Sequence, residues 1–405
     1  MTAVSTSPAS GAGRGAAGRV AAVHAQTKPG LLVAVGFVVA AIVAAIARHD
    51  HGWWLPLHLF VVGALLSAIS ATTQMLAVTW SSSPAPPRAA AGAQRWSLAA
   101  GAIAMVAGHE ADTTWLFVTG GVVVIAAMLG LVAILLRVRH QAVTPRYAPA
   151  IEGYSMAVVA GAAGMTCGLV IGSGHGGSRW FELRGAHLIL NVFGLVGLVI
   201  AATLPYFTAT QVRAKMAPHA TSLRVRLVLA WLALATAAGA LARFADHPTL
   251  TAIALGGYAL GLCAIAALLP VYVAGRLKWA GARIVQLLAG VAWWIAMTIA
   301  LAITVARDTN DRPVLQALVI GGFAQILVAS LAYLGPVLRG GGHRMLTAGF
   351  ALTRSWISLA AGNVAAVAAL AEQRTVLAVA MVVWLVDIAT RTILLVAGRR
   401  APAAT

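Results

Sequence analysis

The sequence has few charged residues, very few cysteines and little acidic charge, and each shortage excludes a class of protein. Charged side chains make up 9% of the 405 residues, whereas soluble domains carry about 25%, so an ordinary water-soluble fold is excluded. The two cysteines give neither a disulfide framework nor a CxxC metal site. The net charge of +18 comes from basic residues in short loops that form no continuous stripe, which argues against nucleic acid as a partner.

Long apolar runs fill most of the chain, in which 60% of the residues are hydrophobic. A bilayer core about 30 Å thick needs about 20 such residues per helix. The sequence therefore predicts an all-α integral membrane protein, with the lipid bilayer as its surroundings. About twelve transmembrane helices are predicted, over residues 30–47, 53–80, 96–108, 114–136, 153–173, 185–210, 225–242, 248–274, 281–305, 313–338, 346–369 and 375–397.

The distribution of charge predicts the orientation of these helices. With the N-terminus in the cytoplasm, the inside segments hold 19 of the lysines and arginines and the outside segments hold 7. Eight of the ten acidic residues also fall outside. This is the positive-inside pattern, and it predicts that both termini are cytoplasmic.

Three regions are expected along the chain. Residues 1–29 are rich in alanine, glycine and serine with three basic residues, which predicts a disordered cytoplasmic tail. Residues 30–398 form the transmembrane domain, and residues 399–405 form a second cytoplasmic tail. The first apolar run is about 17 residues long, which favours a membrane anchor over a cleaved signal peptide.

Histidine is the residue type that connects this sequence to chemistry, because imidazole is the commonest protein ligand for metals and haem iron. Of the eleven histidines, seven fall on the predicted outer side: His49, His51, His58, His109, His175, His187 and His247. His58 and His187 lie inside predicted spans at similar depth, and His187 begins a stripe that continues with Asn191 and small residues. A buried imidazole needs a partner, and we predict a metal or cofactor as the partner of His58 and His187, with a hydrogen bond to Asn, Ser or backbone as the open alternative. His51, His109 and His175 are further candidate ligands, although a lone histidine at a helix end or in a loop is usually a solvated or interfacial residue.

Three charged residues fall within the predicted spans: Arg354, Asp387 and Arg391. A charge at mid-bilayer costs upwards of about 2.5 kcal/mol, so partners are expected. Arg391 follows Asp387 by one helical turn and lies on the same face, and Arg354 is expected at nearly the same depth. The sequence predicts a structural ion cluster, with a proton-relay or substrate role for Asp387 as the alternative.

Three segments resemble a group of actinobacterial polytopic membrane proteins, some of which are fused to multicopper-oxidase or nitrite-reductase-like modules. The group is similar to the NnrS haem- and copper-containing membrane proteins and, more distantly, to haem–copper oxidase subunit I. The segments are HLFVVGALLSAI (58–69), AHLILNVFGLVGLVIAATL (186–204) and GGFAQILVASLAYLGPVLRGGG (321–342). The resemblance implies a subunit-I-like bundle in the bacterial plasma membrane, with haem or copper toward the outer face. It also implies that His58 and His187 are ligands, and that a redox partner acts in the membrane or on the periplasmic side.

The sequence departs from that pattern at important positions. Gln74 stands where relatives tend to carry a second histidine late in span two, and span ten holds Gln316 and Gln325 but no histidine. An oxygen-reducing haem–copper centre needs more histidines than remain, so oxidase activity is not expected. The sequence therefore predicts a site with fewer histidine ligands than in the relatives, for redox or nitric-oxide-related chemistry.

Other functions stay open at this point, and whether the protein is an enzyme is itself undecided. A secondary transporter with six plus six helices also fits twelve spans with a central cytoplasmic loop. The loop after span two has no acidic residue, which argues against the major facilitator family. A non-catalytic membrane subunit is a further alternative, and a glycosyltransferase using Asp50 ranks last because its outer loops are too short.

Overall fold

The computed structural model describes residues 11–47, 52–270, 279–340 and 342–398, with side chains from residue 18 onward except that of residue 19. The described residues form helices and connecting turns, without a strand. Ten of the described helices are long and apolar enough to cross a membrane. The protein is therefore an all-helical membrane protein, as predicted.

The chain divides into two compact units, residues 1–202 and 203–405. The described helices of unit 1 are α1 (Gly11–Ala47), α2 (Trp54–Ser81), α3 (Arg88–Glu110), α4 (Thr114–His140) and α5 (Ala148–Gly172). Helix α6 (Gly177–Gln211) runs across the boundary between the units. Neighbouring helices pack in chain order, α1 on α2, α3 on α4, α4 on α5 and α5 on α6.

The described part of unit 2 holds seven further helices, of which two belong to one predicted span. They are α7 (Ser222–Phe244), α8 (Pro248–Ala267), α9 (Ala282–Ala306), α10 (Arg312–Arg339), α11 (Gly342–Thr353), α12 (Trp356–Leu370) and α13 (Arg374–Ala397). Helix α8 packs on α7 and α9, α10 packs on α9, and α12 packs on α13.

The first predicted tail is wrong over residues 11–29, which are helical and form the start of α1. This part of α1 is packed against protein, since Val23 is 1% exposed and Thr27 is 3% exposed. The guanidinium of Arg95 donates to the Gln26 carbonyl oxygen at 2.9 Å. Long-range contacts therefore order a segment whose composition predicts disorder.

Two of the twelve predicted spans are not among the ten apolar helices. The third, predicted over 96–108, is the longer helix α3 (Arg88–Glu110), which is too polar to count among the ten. The eleventh, predicted as one helix over 346–369, is broken into α11 and α12. At the break, Ser355 caps α12 by accepting a hydrogen bond from the Ser358 backbone N–H at 3.0 Å.

The eighth span is shorter than predicted, because α8 ends at Ala267 and the prediction continues to residue 274. Pro270 explains the early end, since proline disfavours helical backbone in the residue before it and has no N–H to donate. Residues 271–274 of the prediction lie outside the described residues.

Three of the described helices contain a π-helical segment: Leu59–Leu65 in α2, Leu190–Gly197 in α6 and Leu318–Ala324 in α10. π-Helical turns are rare and are frequently found at functional sites. Two of the three begin beside predicted ligands, because His58 directly precedes the first and His187 lies three residues before the second.

Four of the described helices end in the same turn, in which an acidic residue two positions beyond the helix adopts left-handed backbone. The residues are Asp112 (φ 50°), Asp246 (φ 54°), Asp308 (φ 50°) and Glu372 (φ 55°). Left-handed backbone is favourable for glycine and tolerable for aspartate, whose short side chain can bond locally. Glutamate lacks that advantage, so Glu372 carries the greatest strain of the four.

We expect Glu372→Gly to stabilise the protein by about 1 kcal/mol, because glycine adopts positive φ without a steric penalty. The measurement is the thermal unfolding midpoint of the purified protein in detergent. Glu372→Ala is the matched control, since it removes the same charge and keeps the Cβ atom. An equal gain from both substitutions would show that charge, and not backbone strain, is responsible.

Candidate functional site

His58 is held near the start of α2 by a hydrogen bond to its own helix. Its Nδ1 lies 2.8 Å from the carbonyl oxygen of Trp54, one turn earlier. A carbonyl oxygen only accepts hydrogen bonds, so Nδ1 carries the proton. In the neutral ring, Nε2 then keeps its lone pair, and no other described residue hydrogen-bonds to it. This is the arrangement in which a histidine can bind a metal through Nε2.

His187 on α6 is held by the same kind of hydrogen bond, but its partner lies on a neighbouring helix. Its Nδ1 lies 2.7 Å from the carbonyl oxygen of Gly164 on α5, which again leaves the Nε2 lone pair without a hydrogen bond from the described residues. Asn191 donates to the His187 carbonyl oxygen at 2.8 Å. The amide of Asn191 thus supports the turn that carries the imidazole.

Helix α5 makes room for the His187 ring by having glycine at the contact. A Cβ atom added at Gly168 would lie 2.8 Å from both Nδ1 and Cε1 of His187. At Gly164 an added Cβ would lie 2.5 Å from the Asn191 side-chain nitrogen. The two glycines of α5 therefore fix the depth at which His187 and Asn191 approach that helix.

Trp54 brings a third imidazole to the same end of unit 1. Its ring stacks on His58 with centroids 4.1 Å apart and on His109 with centroids 3.5 Å apart. His58 also lies within electrostatic range of both His109 and His187. We call His58, His109 and His187 the imidazole cluster.

The remaining predicted histidines do not join this cluster within the described residues. His175 is exposed in the turn before α6, where its Nδ1 lies 3.0 Å from the Ser173 hydroxyl. His247 is exposed at the start of α8 in unit 2. His49, His51 and Asp50 lie outside the described residues.

The sequence patterns did not single out Trp54, Gly164 or Gly168 as parts of the site. Trp54 could have been found from its spacing, because it precedes His58 by four residues and so shares its helix face. The two glycines could not have been found in this way, since their role depends on which helix packs against α6.

The ligand count limits which metal sites the described residues fit. No group of three or more His, Cys, Asp or Glu side chains among them is placed to hold a metal ion. A closed tetrahedral site, which needs four protein ligands, therefore does not fit. The Nε2 atoms of His58 and His187 are two imidazole nitrogens left without a hydrogen bond from the described residues.

Gln74 and Gln325, the positions where the resemblance led us to look for further histidines, hold hydrogen-bonded amides. The Gln74 amide nitrogen lies 3.2 Å from both the Ser70 carbonyl oxygen and the Ser70 hydroxyl. The Gln325 amide donates to the Gly321 carbonyl oxygen at 3.1 Å and accepts from Asn363 at 3.3 Å. Both side chains are buried, and their bonds stabilise the packing.

The charged residues of the last spans come together only in part as predicted. Arg391 and Asp387 form an ion pair, with Nε and Oδ1 2.9 Å apart. Arg391 also donates to the carbonyl oxygens of Leu352 at 2.7 Å and Arg354 at 3.0 Å. Arg354 therefore contributes its backbone to this cluster, whereas its side chain lies over the Trp279 ring, 5.9 Å from the centroid.

The Asp387–Arg391 pair faces a groove of about 590 Å³. The groove is lined by one face of α11 and one face of α13, including Ala348, Leu352 and Leu394. The second carboxylate oxygen of Asp387 is buried and has no hydrogen-bond partner among the described residues. The ion pair therefore links α13 to the end of α11, while one carboxylate oxygen of Asp387 has no hydrogen bond from the described residues.

Comparison with known proteins adds no relative to this picture: no protein-family model matches the chain, and a comparison with curated proteins finds no match.

Proposed function

We propose that the protein is a membrane metalloprotein in which His58 and His187 hold a haem or a copper ion for redox or nitric-oxide-related chemistry. One observation carries this proposal. In both histidines a backbone carbonyl fixes the proton on Nδ1, at 2.8 Å and 2.7 Å, and leaves Nε2 as a lone-pair donor. Two such donors in one cluster, each beside a π-helical segment, favour a ligand role over simple packing.

We further propose that the chain crosses the bacterial plasma membrane twelve times. The ten apolar helices make ten crossings, α3 makes one more, and α11 and α12 together make the last. Both termini are then cytoplasmic and the imidazole cluster lies toward the outer face. A redox partner would therefore reach it from the membrane or the periplasmic side. The proposed bundle resembles haem–copper oxidase subunit I in helix number only, and too few histidines remain for oxygen reduction.

A bound haem or copper would supply one-electron chemistry, and each nearby residue would have a definite task. His58 and His187 would donate their Nε2 lone pairs. Gly164 and Trp54 would fix the ring orientations through their carbonyl oxygens, and Asn191 would hold the turn beneath His187. The Trp54 ring, stacked on two imidazoles, would shield the site from water.

The test is the visible absorption and metal content of protein purified from cells supplied with both haem and copper. We expect about one haem or one copper per chain, and at least a tenfold loss of it in both His58→Ala and His187→Ala, because removal of either ligand leaves only one imidazole. His175→Ala is the matched control, since this exposed histidine lies at the same end of unit 1. Its metal content is expected to equal that of the wild type.

Two outcomes would contradict the proposal. The first is a colourless, metal-free wild-type protein that is correctly folded. The second is a metal content that survives both substitutions, which would place the metal elsewhere.

A secondary transporter is the second candidate, and a specific observation favours it. The chain divides into two units of nearly equal length, and Asp387 presents an unpartnered oxygen beside a groove. Intramembrane carboxylates often mark ion or substrate pathways. A non-catalytic membrane subunit would show neither bound metal nor transport dependent on Asp387.

A further inference from the structure

Three arginines of unit 2 lie around one tryptophan, near the end of α6, the first turn of α9 and the end of α11. The guanidinium carbons of Arg213, Arg283 and Arg354 lie 4.0, 5.6 and 5.9 Å from the Trp279 ring centroid. We call these three residues the arginine cluster. Arg283 is its centre, because its side chain is buried and 1% exposed.

Arg283 has donors that no described residue satisfies. Its Nε donates to the Gln211 side-chain oxygen at 3.1 Å, but Nη1 and Nη2 are both buried without a partner among the described residues. The surrounding unpartnered atoms include further donors, namely Gln211 Nε2 and Arg354 Nε. A buried guanidinium with unmet hydrogen bonds is unfavourable by several kcal/mol, so these donors favour the binding of a group that only accepts hydrogen bonds.

No carboxylate is among the described electrostatic neighbours of Arg283. The electrostatic neighbours of Arg283 are Tyr333, Arg213 and Arg354. Of the five acidic residues in unit 2, Asp387 is bound to Arg391, and the other four lie at the opposite helix ends. Asp308, for example, follows the last turn of α9, which places it about 38 Å from Arg283 at 1.5 Å per residue.

Aromatic rings hold Arg283 in place without satisfying its N–H groups. The guanidinium carbon lies 5.1 Å from the Tyr333 centroid and 5.0 Å from the Phe350 centroid, distances suited to cation–π attraction. Arg283 is also in the first turn of α9, whose cap residue Gly281 makes no side-chain cap and whose first turn has no acidic residue. The helix N-terminus therefore adds its own attraction for a negative charge.

We propose that the arginine cluster binds a phosphate group, with Arg283 as the bidentate ligand and Arg354 and Gln211 as additional donors. Arginine recognises phosphate through paired N–H donors, and the unmet donors of Arg283 form such a pair. The phosphate could belong to the headgroup of an anionic phospholipid or to a soluble phosphate compound. Both share the same recognition chemistry at the arginine cluster.

The test is the thermal unfolding of the purified full chain with two probes. Inorganic phosphate is titrated against sodium chloride of equal ionic strength, and nanodiscs of phosphatidylglycerol are compared with nanodiscs of phosphatidylcholine. We expect a saturable rise of about 3–5 °C at tenfold excess over the dissociation constant in at least one arm. A rise with phosphate identifies a soluble ligand, and a rise with phosphatidylglycerol alone identifies a lipid headgroup.

Variants separate binding from general charge effects. Arg344→Gln is the matched control, because it removes one exposed positive charge of α11 outside the arginine cluster and should keep the ligand-induced rise. Arg354→Gln should reduce the rise. Gln211→Glu places a carboxylate beside Arg283, so it should raise the midpoint without ligand and abolish the ligand-induced rise.

The proposal is overturned if neither probe shifts the wild-type midpoint beyond its ionic-strength or phosphatidylcholine control. It is also overturned if Gln211→Glu keeps the full ligand-induced rise. Because Gln211→Glu keeps Arg283 and supplies a counterion for it, this test does not depend on the folding of a variant that lacks the arginine.

Discussion

Replacing Gly120 by alanine is expected to destabilise unit 1 by about 3 kcal/mol, because the added methyl group would collide with backbone. A Cβ at Gly120 would lie 2.2 Å from the Met105 backbone nitrogen on α3 and 2.8 Å from the Gly101 carbonyl oxygen. Backbone atoms of a packed helix cannot move aside as a flexible side chain can, so α3 and α4 would have to separate. Small residues at this contact are typical of membrane helix pairs.

Gly130→Ala is the matched control for that prediction, since it adds the same methyl group to the same helix. A Cβ at Gly130 would have Gln94 Cγ as its nearest neighbour, at 3.9 Å, which is an ordinary contact. We expect no loss of stability, or a small gain from the better helix propensity of alanine. Thermal or denaturant unfolding in detergent measures both variants. Equal effects of the two substitutions would show that the α3–α4 contact is looser than the structure indicates.

Replacing Arg391 by alanine is expected to cost about 3 kcal/mol, because it leaves the Asp387 carboxylate buried without its partner. It also removes the donors of the Leu352 and Arg354 carbonyl oxygens, which lie where α11 ends. Such carbonyls have no partner within their own helix, and a positive charge there is favourable. Denaturant unfolding of the purified protein should show the loss.

Arg243→Ala serves as the control ion pair, because Arg243 and Asp246 are exposed and 3.8 Å apart. Exposed pairs contribute about 0–1 kcal/mol, so little change is expected. Asp387→Asn distinguishes the structural role of the pair from transport. A stable variant that loses a transport activity present in the wild type would contradict a purely structural role and support the second candidate function.

Much of the fold follows from the sequence because its causes are local. The apolar runs specify the membrane helices, and the four-residue spacing specifies the Asp387–Arg391 pair. The predictions from the sequence were wrong where contacts between residues distant in the chain determine the local structure. Composition predicts disorder at residues 11–29, yet Val23 and Thr27 are buried against other helices, and the break before Ser355 is supported by Arg391 from α13.

In the candidate site, too, some features follow from local sequence and others depend on contacts between distant residues. Sequence position placed His58 and His187 near one end of their helices, and helical spacing could have added Trp54. His109 joins them only because α3 brings it onto Trp54, and the His187 proton is fixed only because Gly164 lies on the adjacent helix.

By itself the sequence determined that the protein is helical and lies in a membrane, and it singled out two histidines as candidate ligands. Hydrophobic length and helical periodicity are properties of short segments, so they can be seen without the fold. Only the tertiary structure decided which nitrogen of each imidazole is left to bind, and that Arg213, Arg283 and Arg354 surround Trp279. Those features depend on residues far apart in the chain, whose contacts are set by how the helices pack.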